Sequence, residues 1–367
     1  MPKPIAIPPR LTKLREKLTE QNYDALFVIN ESNIRYLSGY TNHDAFLFIS
    51  GAKHGAANIF ITDFRYTEQA AEECPDYQVM LYKKSATTLA ELISEYCTKH
   101  GVKRLAFEYG HISHARYQEL AQTLTGIELC ASNGLIEGLR NIKDQAEGER
   151  LRLAAAATDR VFAAVCQFIR PGVTERQIEW EIARNIREQG SNPSFPSIVV
   201  SGVRGSLPHG VANDKPVAQG EFITLDFGCT YDGYRADLTR TVFIGQPSAE
   251  QRHIYDTVLQ AQLASEAAIK AGVAGSDIHK IAREIIDQAG YAGRFGHGLG
   301  HGVGLDVHEQ PSMNETAEFI LAAGCYVTVE PGIYIPGIGG VRIEDIVEVT
   351  SDGSENLYTS TKDLICL

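Results

Sequence analysis

The sequence predicts an α+β protein of two domains, in which an N-terminal α/β domain precedes a larger α/β domain built from two repeated halves. The chain has 367 residues, which exceeds the roughly 100 to 200 residues of an ordinary single domain. Helical and strand patterns alternate through its first third, and residues 169–190 resemble residues 269–290. We place the domain boundary near residue 135, which gives domains of 1–134 and 135–367.

Leucines at helical spacing and short apolar runs define the N-terminal domain. Residues three and four apart share one face of a helix, and the first helix is predicted from the stripe Leu11, Leu14 and Leu18. Strands are predicted over the apolar runs 25–29, 46–49, 58–62 and 105–108. This alternation is typical of an α/β unit.

A long helix is predicted at the start of the second domain. The segment 133–141 interrupts the earlier pattern, and Asp144 and Glu147 then have the spacing of a capping box, which marks the beginning of a helix. The alanine-rich stretch that follows predicts that this helix ends near Phe168.

Part of the second domain repeats at an offset of one hundred residues. Six residues are identical between the two copies, where Ile169, Gly172, Val173, Ile178, Ile186 and Gly190 recur as Ile269, Gly272, Val273, Ile278, Ile286 and Gly290. A Gly-Val turn before an amphipathic helix is common, so chance explains part of this match. Each copy is nevertheless followed by a strand hairpin with two acidic residues. A duplicated half-domain with a pseudo-twofold axis would bring the two acid pairs together.

The first hairpin carries Asp226 and Asp237. Asp232-Gly233 lies between two apolar runs and is a strong signal for a two-residue turn. With this turn, Asp226 lies opposite Thr239, and Asp237 shares its face as a diagonal neighbour about 7 to 8 Å away. A buried strand rarely holds an aspartate unless the carboxylate is paired or binds a cation. Hydrogen bonding to turn amides is the alternative, and the shared face favours a metal.

The second hairpin carries Glu330 and Glu344. Each interrupts a run of β-branched residues, and a segment rich in glycine and proline joins the two runs. An exposed edge strand would tolerate such acids, which is our interpretation of Glu348. Glu330 and Glu344 lie within strongly apolar strands, so the argument from burial predicts that they bind a cation.

Glycines and histidines alternate in the segment 295–308, between the two hairpins. The five glycines between Gly296 and Gly304 exclude a stable helix, because each glycine costs a helix up to about 1 kcal/mol. The backbone is therefore expected to approach another group closely. The segment lacks the spacing of nucleotide-binding loops, so histidines beside the four carboxylates point to a metal.

The four carboxylates and the imidazole of His301 form a ligand set that suits manganese, iron, cobalt or zinc. Clustered acids repel one another, so two divalent cations are the expected balance. Two such ions about 3.5 to 4 Å apart generate a hydroxide nucleophile and stabilise both oxygens of a tetrahedral intermediate. These residues therefore predict a two-metal hydrolase.

Composition and charge argue against several other classes. The formal net charge is -12, whereas general affinity for nucleic acid needs clustered Lys and Arg. The seven cysteines are widely spaced and never form a C-x-x-C pair, which predicts free thiols in a reducing compartment. The chain has no signal-peptide pattern and no apolar run near the roughly 18 residues of a membrane span. We therefore expect a cytoplasmic protein without a membrane partner.

The chain resembles the pita-bread metallopeptidase family over nearly its whole length, and within it the branch of Xaa-Pro aminopeptidases and prolidases. The motifs that carry the resemblance are Leu-Asp226-Phe-Gly, Arg-Ala-Asp237-Leu-Thr-Arg-Thr, Gly-His301-Gly-Val-Gly-Leu-Asp-Val-His308-Glu, Val-Glu330-Pro-Gly-Ile-Tyr and Arg-Ile-Glu344-Asp. The resemblance implies a creatinase-type N-terminal domain, which in relatives helps to form a homodimer, followed by a pita-bread catalytic domain.

The resemblance also implies the metal ligands and the reaction. The implied ligands of two divalent ions are Asp226, Asp237, His301, Glu330 and Glu344. Manganese is the metal expected first, with cobalt, zinc or iron as alternatives. The implied reaction is attack of a metal-bridging hydroxide on the carbonyl before proline, in a proline-containing peptide.

Further roles follow from the same resemblance. Glu330 is expected to take the proton of the attacking water, and His209 and His308 to hydrogen-bond the carbonyl oxygen of the substrate. The residues expected to contact substrate or to orient the carboxylates are His297, Tyr334 and Arg342.

Other activities on the same fold stay open. A creatinase-like carbon-nitrogen hydrolase works without metal, and a non-catalytic binding protein tolerates the loss of ligands; the complete ligand set argues against both. The size of the N-terminal domain disfavours a methionine aminopeptidase. Many prolidases carry an arginine shortly after the His-Glu pair to bind a dipeptide's carboxylate, whereas this chain has Gln310-Pro311-Ser312. The choice between an Xaa-Pro dipeptidase and an Xaa-Pro aminopeptidase is therefore not decided by the sequence.

Overall fold

The structure, a computed structural model, describes residues 4–82 and 87–367. They form two compact units, Pro4–Arg140 and Asn141–Leu367. This division falls a few residues beyond the boundary that we expected at 135. Residues 1–3 and 83–86 of the expected first domain lie outside the described residues.

The N-terminal unit contains a six-stranded mixed sheet. Its strands are β1 (Ala25–Val28), β2 (Ala45–Ser50), β3 (Asn58–Thr62), β4 (Gln78–Leu81), β5 (Arg104–Glu108) and β6 (Glu128–Ser132). They lie in the order β4-β3-β2-β1-β5-β6, and β2 is antiparallel to both of its neighbours. All four strands predicted from the apolar runs are present.

The helices of this unit pack apolar faces against the core. They are α1 (Ile7–Glu20), α2 (Glu31–Ser38), α3 (Thr67–Glu73), α4 (Leu89–Lys99), α5 (His114–Thr123) and α6 (Glu137–Arg140). Leu11, Leu14 and Leu18 are buried along α1, which confirms the predicted stripe.

Four helices form the frame of the C-terminal unit, namely α7 (Gln145–Phe168), α8 (Glu175–Glu188), α9 (Ala249–Ala268) and α10 (Gly275–Ile286). Both hydrogen bonds of the capping box between Asp144 and Glu147 are present, and α7 ends at Phe168 as predicted. Within the described ranges, no helix has the length and apolar character needed to cross a membrane.

Short strands carry the rest of this unit. They are β7 (Ile198–Ser201), β8 (Phe222–Phe227), β9 (Thr230–Tyr231), β10 (Tyr234–Arg235), β11 (Leu238–Phe243), β12 (Gly300–Gly302), β13 (Glu309–Met313), β14 (Tyr326–Val329), β15 (Gly332–Ile335), β16 (Gly339–Arg342), β17 (Asp345–Val349) and β18 (Ser354–Asn356). The larger sheets have the orders β11-β8-β7 and β13-β12-β14-β17-β18.

The two halves of the C-terminal unit have equivalent backbones. A glycine with left-handed φ joins each helix pair, Gly172 at +91° and Gly272 at +90°. The Gly172 amide donates to the Val217 carbonyl at 2.9 Å, and the Gly272 amide donates to the Leu321 carbonyl at 2.8 Å. The pair α7–α8 therefore corresponds to α9–α10, which confirms the duplication inferred from the sequence.

The first acid of each hairpin has the same place in its half. Gly220 and Gly324 precede β8 and β14 with φ of +82° and +88°, and each amide donates to a carbonyl of the segment paired with its strand, at 2.8 and 2.9 Å. Asp226 follows Gly220 by the same number of residues as Glu330 follows Gly324. The duplication thus places one carboxylate at the end of each central strand.

Candidate metal centre and active site

Asp226 and Asp237 lie on the first hairpin, in the geometry that the turn sequence predicts. Asp232 and Gly233 have φ of +46° and +80°, and a type I′ turn needs positive φ at both positions. The register pairs Asp226 with Thr239, as predicted. Asp237 directly precedes β11, and both carboxylates are buried.

The two acid-bearing hairpins meet at Thr239 and Glu344. The Glu344 amide donates to the Thr239 carbonyl at 3.0 Å, and the Thr239 hydroxyl donates to the Glu344 carboxylate at 2.6 Å. This contact brings Glu344 beside Asp237. Ligand atoms of Asp237, Glu344 and His301 all lie within 4.8 Å of one another, so the three side chains can hold one cation.

The glycines around His301 allow close approach of neighbouring strands. A Cβ added to Gly300 would lie 2.0 Å from the Thr328 carbonyl oxygen, and one added to Gly302 would lie 2.2 Å from that of Gln310. The close approach predicted from the glycines is therefore confirmed, and its partners are backbone atoms of adjacent strands.

His301 contacts two of the predicted ligands. Its Nε2 lies 3.3 Å from Glu330 Oε1 and 3.8 Å from Asp237 Oδ2. Glu330 follows β14 directly, and Thr328 on that strand accepts the His301 amide at 3.0 Å through its hydroxyl. The second half of the unit thus supplies both the imidazole and a carboxylate.

Burial and mutual repulsion shift the pKa values of these side chains. Burial raises the pKa of Asp226, and burial together with neighbouring acids raises the pKa of Asp237 and Glu344 well above their usual range. Burial opposes a charge on His301, but the hydrogen bond and charge of Glu330 outweigh it and raise the His301 pKa to about 9. Burial also opposes a charge on Glu330, whose pKa is nevertheless lowered by His301. A cation among these acids would relieve their repulsion.

Arg342 connects Asp226 with two other predicted residues. Its Nη2 lies 2.5 Å from Asp226 Oδ2, and its Nη1 donates to the Tyr334 hydroxyl at 2.9 Å. The same hydroxyl lies 2.9 Å from His297 Nε2. Burial lowers the pKa of His297, which favours its neutral ring. Arg342 therefore contacts the carboxylate of Asp226, and Tyr334 contacts the ring of His297; that they orient these groups stays a prediction.

The donor set fits divalent metal ions. Asp226 Oδ1 is buried and has no hydrogen-bond partner among the described residues, while Arg342 holds its other oxygen. A buried oxygen without a partner is unfavourable, and a cation would satisfy it. Carboxylates with one imidazole suit hard or borderline divalent ions, so these residues fit manganese, cobalt, zinc or iron.

A cavity of about 300 Å³ lies over the acids. Every predicted site residue lines it except Tyr334, which lies behind Arg342 and His297. His209 and His308 are exposed and reach the cavity from the segments that follow β7 and β12. The His308 ring centroid lies 4.3 Å from that of His301. The histidines predicted to face substrate thus share one space with the predicted ligands.

Sequence reasoning missed the apolar wall of this cavity. Phe195, Ile198 and Val307 line it beside the charged residues. Their sequence pattern does not distinguish them from ordinary core residues, and only the fold reveals their position. It also missed Tyr358, whose hydroxyl bonds to the backbone of Asp237.

Comparison with known proteins identifies the family. Residues 149–351 match the family model described as Metallopeptidase family M24, and residues 10–142 match that of the Creatinase/Prolidase N-terminal domain. The chain belongs to metallopeptidase family M24. A relative from Pyrococcus horikoshii, named Xaa-Pro dipeptidase, is 33% identical over 97% of this chain and 98% of its own length.

Two solved structures are similar to this chain over nearly its full length. An Xaa-Pro dipeptidase from Bacillus anthracis has a TM-score of 0.94 and 39% identity, over 99% of this chain and 100% of its own. An X-Pro aminopeptidase from Thermotoga maritima has a TM-score of 0.89 and 33% identity, over 97% and 99%. The predicted creatinase-type domain and pita-bread catalytic domain are confirmed, and membership of M24 implies divalent metal ions.

Proposed function

We propose that this M24 metallopeptidase hydrolyses the peptide bond before proline and uses two divalent ions held by Asp226, Asp237, His301, Glu330 and Glu344. The observation that supports this most is the convergence of acids from two duplicated hairpins on one cavity that three further histidines also line. Relatives named Xaa-Pro dipeptidase and X-Pro aminopeptidase support the specificity for proline.

The side chains hold substrate and move the proton. Asp226, Asp237, His301, Glu330 and Glu344 would hold the two ions, which would supply an activated hydroxide and a positive charge to balance the negative charge that develops during hydrolysis. Glu330 is the carboxylate that accepts the proton of the attacking water. His209 and His308 hydrogen-bond the carbonyl oxygen as negative charge develops on it, an effect worth about 3 kcal/mol in comparable sites. Burial and the charge of His301 lower the pKa of His308, which keeps its ring neutral.

Manganese is our first choice of metal. Carboxylate-rich sites favour manganese and related hard ions, and a single imidazole also permits cobalt, zinc or iron. The choice is tested by reconstituting metal-free protein with each ion separately and comparing kcat at saturating metal.

The activity is tested on three substrates. Protein reconstituted with manganese is assayed on an Xaa-Pro dipeptide, an Xaa-Pro-Yaa tripeptide and creatine. We expect release of the residue before proline, and loss of this activity with a chelator. Activity on creatine alone, or activity that a chelator leaves unchanged, would contradict the proposal. The ratio of kcat/KM for dipeptide and tripeptide decides between a dipeptidase and an aminopeptidase.

The ligand set is tested separately through Asp237. Asp237→Ala should lower both the metal content and the rate, because it removes one of the three side chains, with His301 and Glu344, whose ligand atoms lie close enough to hold one cation. The matched control is Asp256→Ala, which removes an exposed carboxylate paired with Arg252 on α9 and should change neither. Normal metal content in Asp237→Ala would remove Asp237 from the ligand set.

A further inference from the structure

His209 lies on a loop whose larger apolar side chains are exposed. The loop covers residues 202–213, and begins with a short 3₁₀ helix, Gly202–Ser206. On either side of His209, Leu207 is 47% and Val211 is 79% exposed, whereas the backbone at Gly205 and Gly210 packs closely against Gly340 and Val200. Exposed apolar side chains contribute little to holding a segment in place, so the polar contacts of the chain around His209 matter more; one is the hydrogen bond from Arg342 Nη1 to the Pro208 carbonyl at 3.2 Å.

A buried carboxylate bonds to both ends of this loop. Glu175, the first residue of α8, is fully buried. It accepts hydrogen bonds from the Ser201 amide at 2.8 Å and the Ser201 hydroxyl at 3.0 Å, before the loop, and from the Asn213 amide at 3.3 Å, where the loop ends. One side chain therefore fixes the distance between the two ends.

Arg204, which lies within the loop, connects Glu175 to the far side of the loop. Its Nε lies 3.0 Å from Glu175 Oε2, and its Nη2 donates to the Val211 carbonyl at 2.6 Å. Hydrogen bonds that involve a charged group are about twice as strong as neutral ones. Since His209 lies between Arg204 and Val211 in sequence, this arginine ties together the chain on both sides of the histidine.

The duplicated half shows that the fold does not need this carboxylate. Gly275 opens α10 where Glu175 opens α8, and a Cβ at Gly275 would lie 2.7 Å from the Ser312 carbonyl oxygen. The helix pair forms in both halves, although only one has the acid. We therefore assign the acid to the loop that follows β7, whose two ends it hydrogen-bonds.

We propose that Glu175 and Arg204 are positioning residues that hold His209 in place for hydrolysis. This inference rests on the proposed function, in which His209 hydrogen-bonds the substrate carbonyl. Neither residue lines the cavity, so both act through the loop. A displacement of about 1 Å in a catalytic group can cost about 100-fold in rate.

The kinetic test compares Arg204 variants with a matched ion pair. Arg204→Met should lower kcat by about 10- to 100-fold, and Arg204→Lys should restore part of it because the charge remains. Arg176→Met is the control, since Arg176 pairs with Asp214 at the same end of α8, at 2.8 Å and with both side chains exposed; its kcat should equal that of the wild type. In a His209→Ala background, Arg204→Met should cause no further loss. A loss of the same factor in that background would show a general structural role and overturn the proposal.

A second measurement does not depend on activity. Amide hydrogen exchange over residues 202–213 should be faster in Arg204→Met than in the wild type, and unchanged in Arg176→Met. Exchange in Arg204→Met equal to that of the wild type would overturn the proposal. If the wild type cleaves no Xaa-Pro peptide, the proposed function fails, whereas the exchange rates still decide whether Arg204 holds the loop.

Discussion

The hydroxyl of Tyr358 holds the backbone of the predicted ligand Asp237. It accepts a hydrogen bond from the Asp237 amide at 3.0 Å and donates one to the Asp237 carbonyl at 2.5 Å. Tyr358 is buried and lies beyond residues 149–351, which the M24 family model matches. The substitution Tyr358→Phe removes the hydroxyl and keeps the ring, so both backbone groups lose this partner.

Two effects of Tyr358→Phe can be estimated. Each buried polar group left unpaired costs about 1 to 3 kcal/mol, so the two groups together cost about 2 to 6 kcal/mol of stability. Asp237 is also less well oriented, and losing a group that orients a metal ligand typically lowers metal affinity by about 10- to 100-fold. We therefore expect lower stability and at least about tenfold weaker binding of Mn²⁺.

The assay separates these effects with a second tyrosine. Tyr255→Phe also removes a buried hydroxyl, which donates to the Lys362 carbonyl in the C-terminal segment at 2.8 Å. Among the described residues, this hydroxyl has no hydrogen bond to a predicted metal ligand. Calorimetric titration of metal-free protein with Mn²⁺ should show weaker binding in Tyr358→Phe alone, whereas urea unfolding should show lower stability in both variants. Wild-type affinity in Tyr358→Phe would refute the reasoning that its hydroxyl orients a ligand.

Two further predictions concern the acids and their hairpin. The pKa values of Asp226, Asp237 and Glu344 are raised in the folded protein, so the protonated acids stabilise the fold below the unfolded-state pKa, and this stability is lost as the pH rises through the folded-state pKa. Mn²⁺ binds the ionised carboxylates, so it should raise the unfolding temperature more at about pH 8 than at about pH 5. Thermal scans that show equal gains at the two pH values would contradict this prediction. Gly228→Ala should reduce folded yield and Mn²⁺ binding, because the new Cβ would lie 1.8 Å from the Ala236 carbonyl oxygen; circular dichroism and metal analysis like those of the wild type would be the contrary result.

The hairpin that carries the first acids could be predicted because local rules determine it. Asp232-Gly233 determines the turn, and the turn determines the register that places Asp226 opposite Thr239. The capping box at the start of α7 is equally local, since its two residues are three apart. Where the interacting residues are close in sequence, residue type and spacing were sufficient.

The contacts that orient the ligands could not be predicted in this way. Arg342 and Asp226 are 116 residues apart, and Tyr358 and Asp237 are 121 apart. Neither pair has a local pattern, because each contact forms only when distant segments pack together. Motif resemblance placed Arg342 near the site without indicating its partner, and nothing in the sequence pointed to Tyr358.

The grouping of acids around one cation also depended on the tertiary fold. From the first hairpin alone, Asp226 and Asp237 were expected to share a metal as diagonal neighbours. The structure adds His301 and Glu344 to the surroundings of Asp237, because the second hairpin bonds to the first beside Asp237; that Asp226 and Asp237 share a metal stays a prediction. Arg342 meanwhile holds one oxygen of Asp226, so its other oxygen is the one available to a cation.

Duplication accounts for the carboxylates but not for the imidazole. Asp226 and Glu330 have the same place in the two halves, so one acid per half follows from the repeat. In the first half Val200 pairs with Thr224; in the second, His301 donates its amide to the hydroxyl of the corresponding threonine. The position held by Val200 in the first half is thus held by His301 in the second. As a result, the acid cluster has a nitrogen donor on one side only. Because nitrogen and oxygen donors favour different ions, the two metal positions that we propose would be chemically unequal even though the backbone around them is repeated.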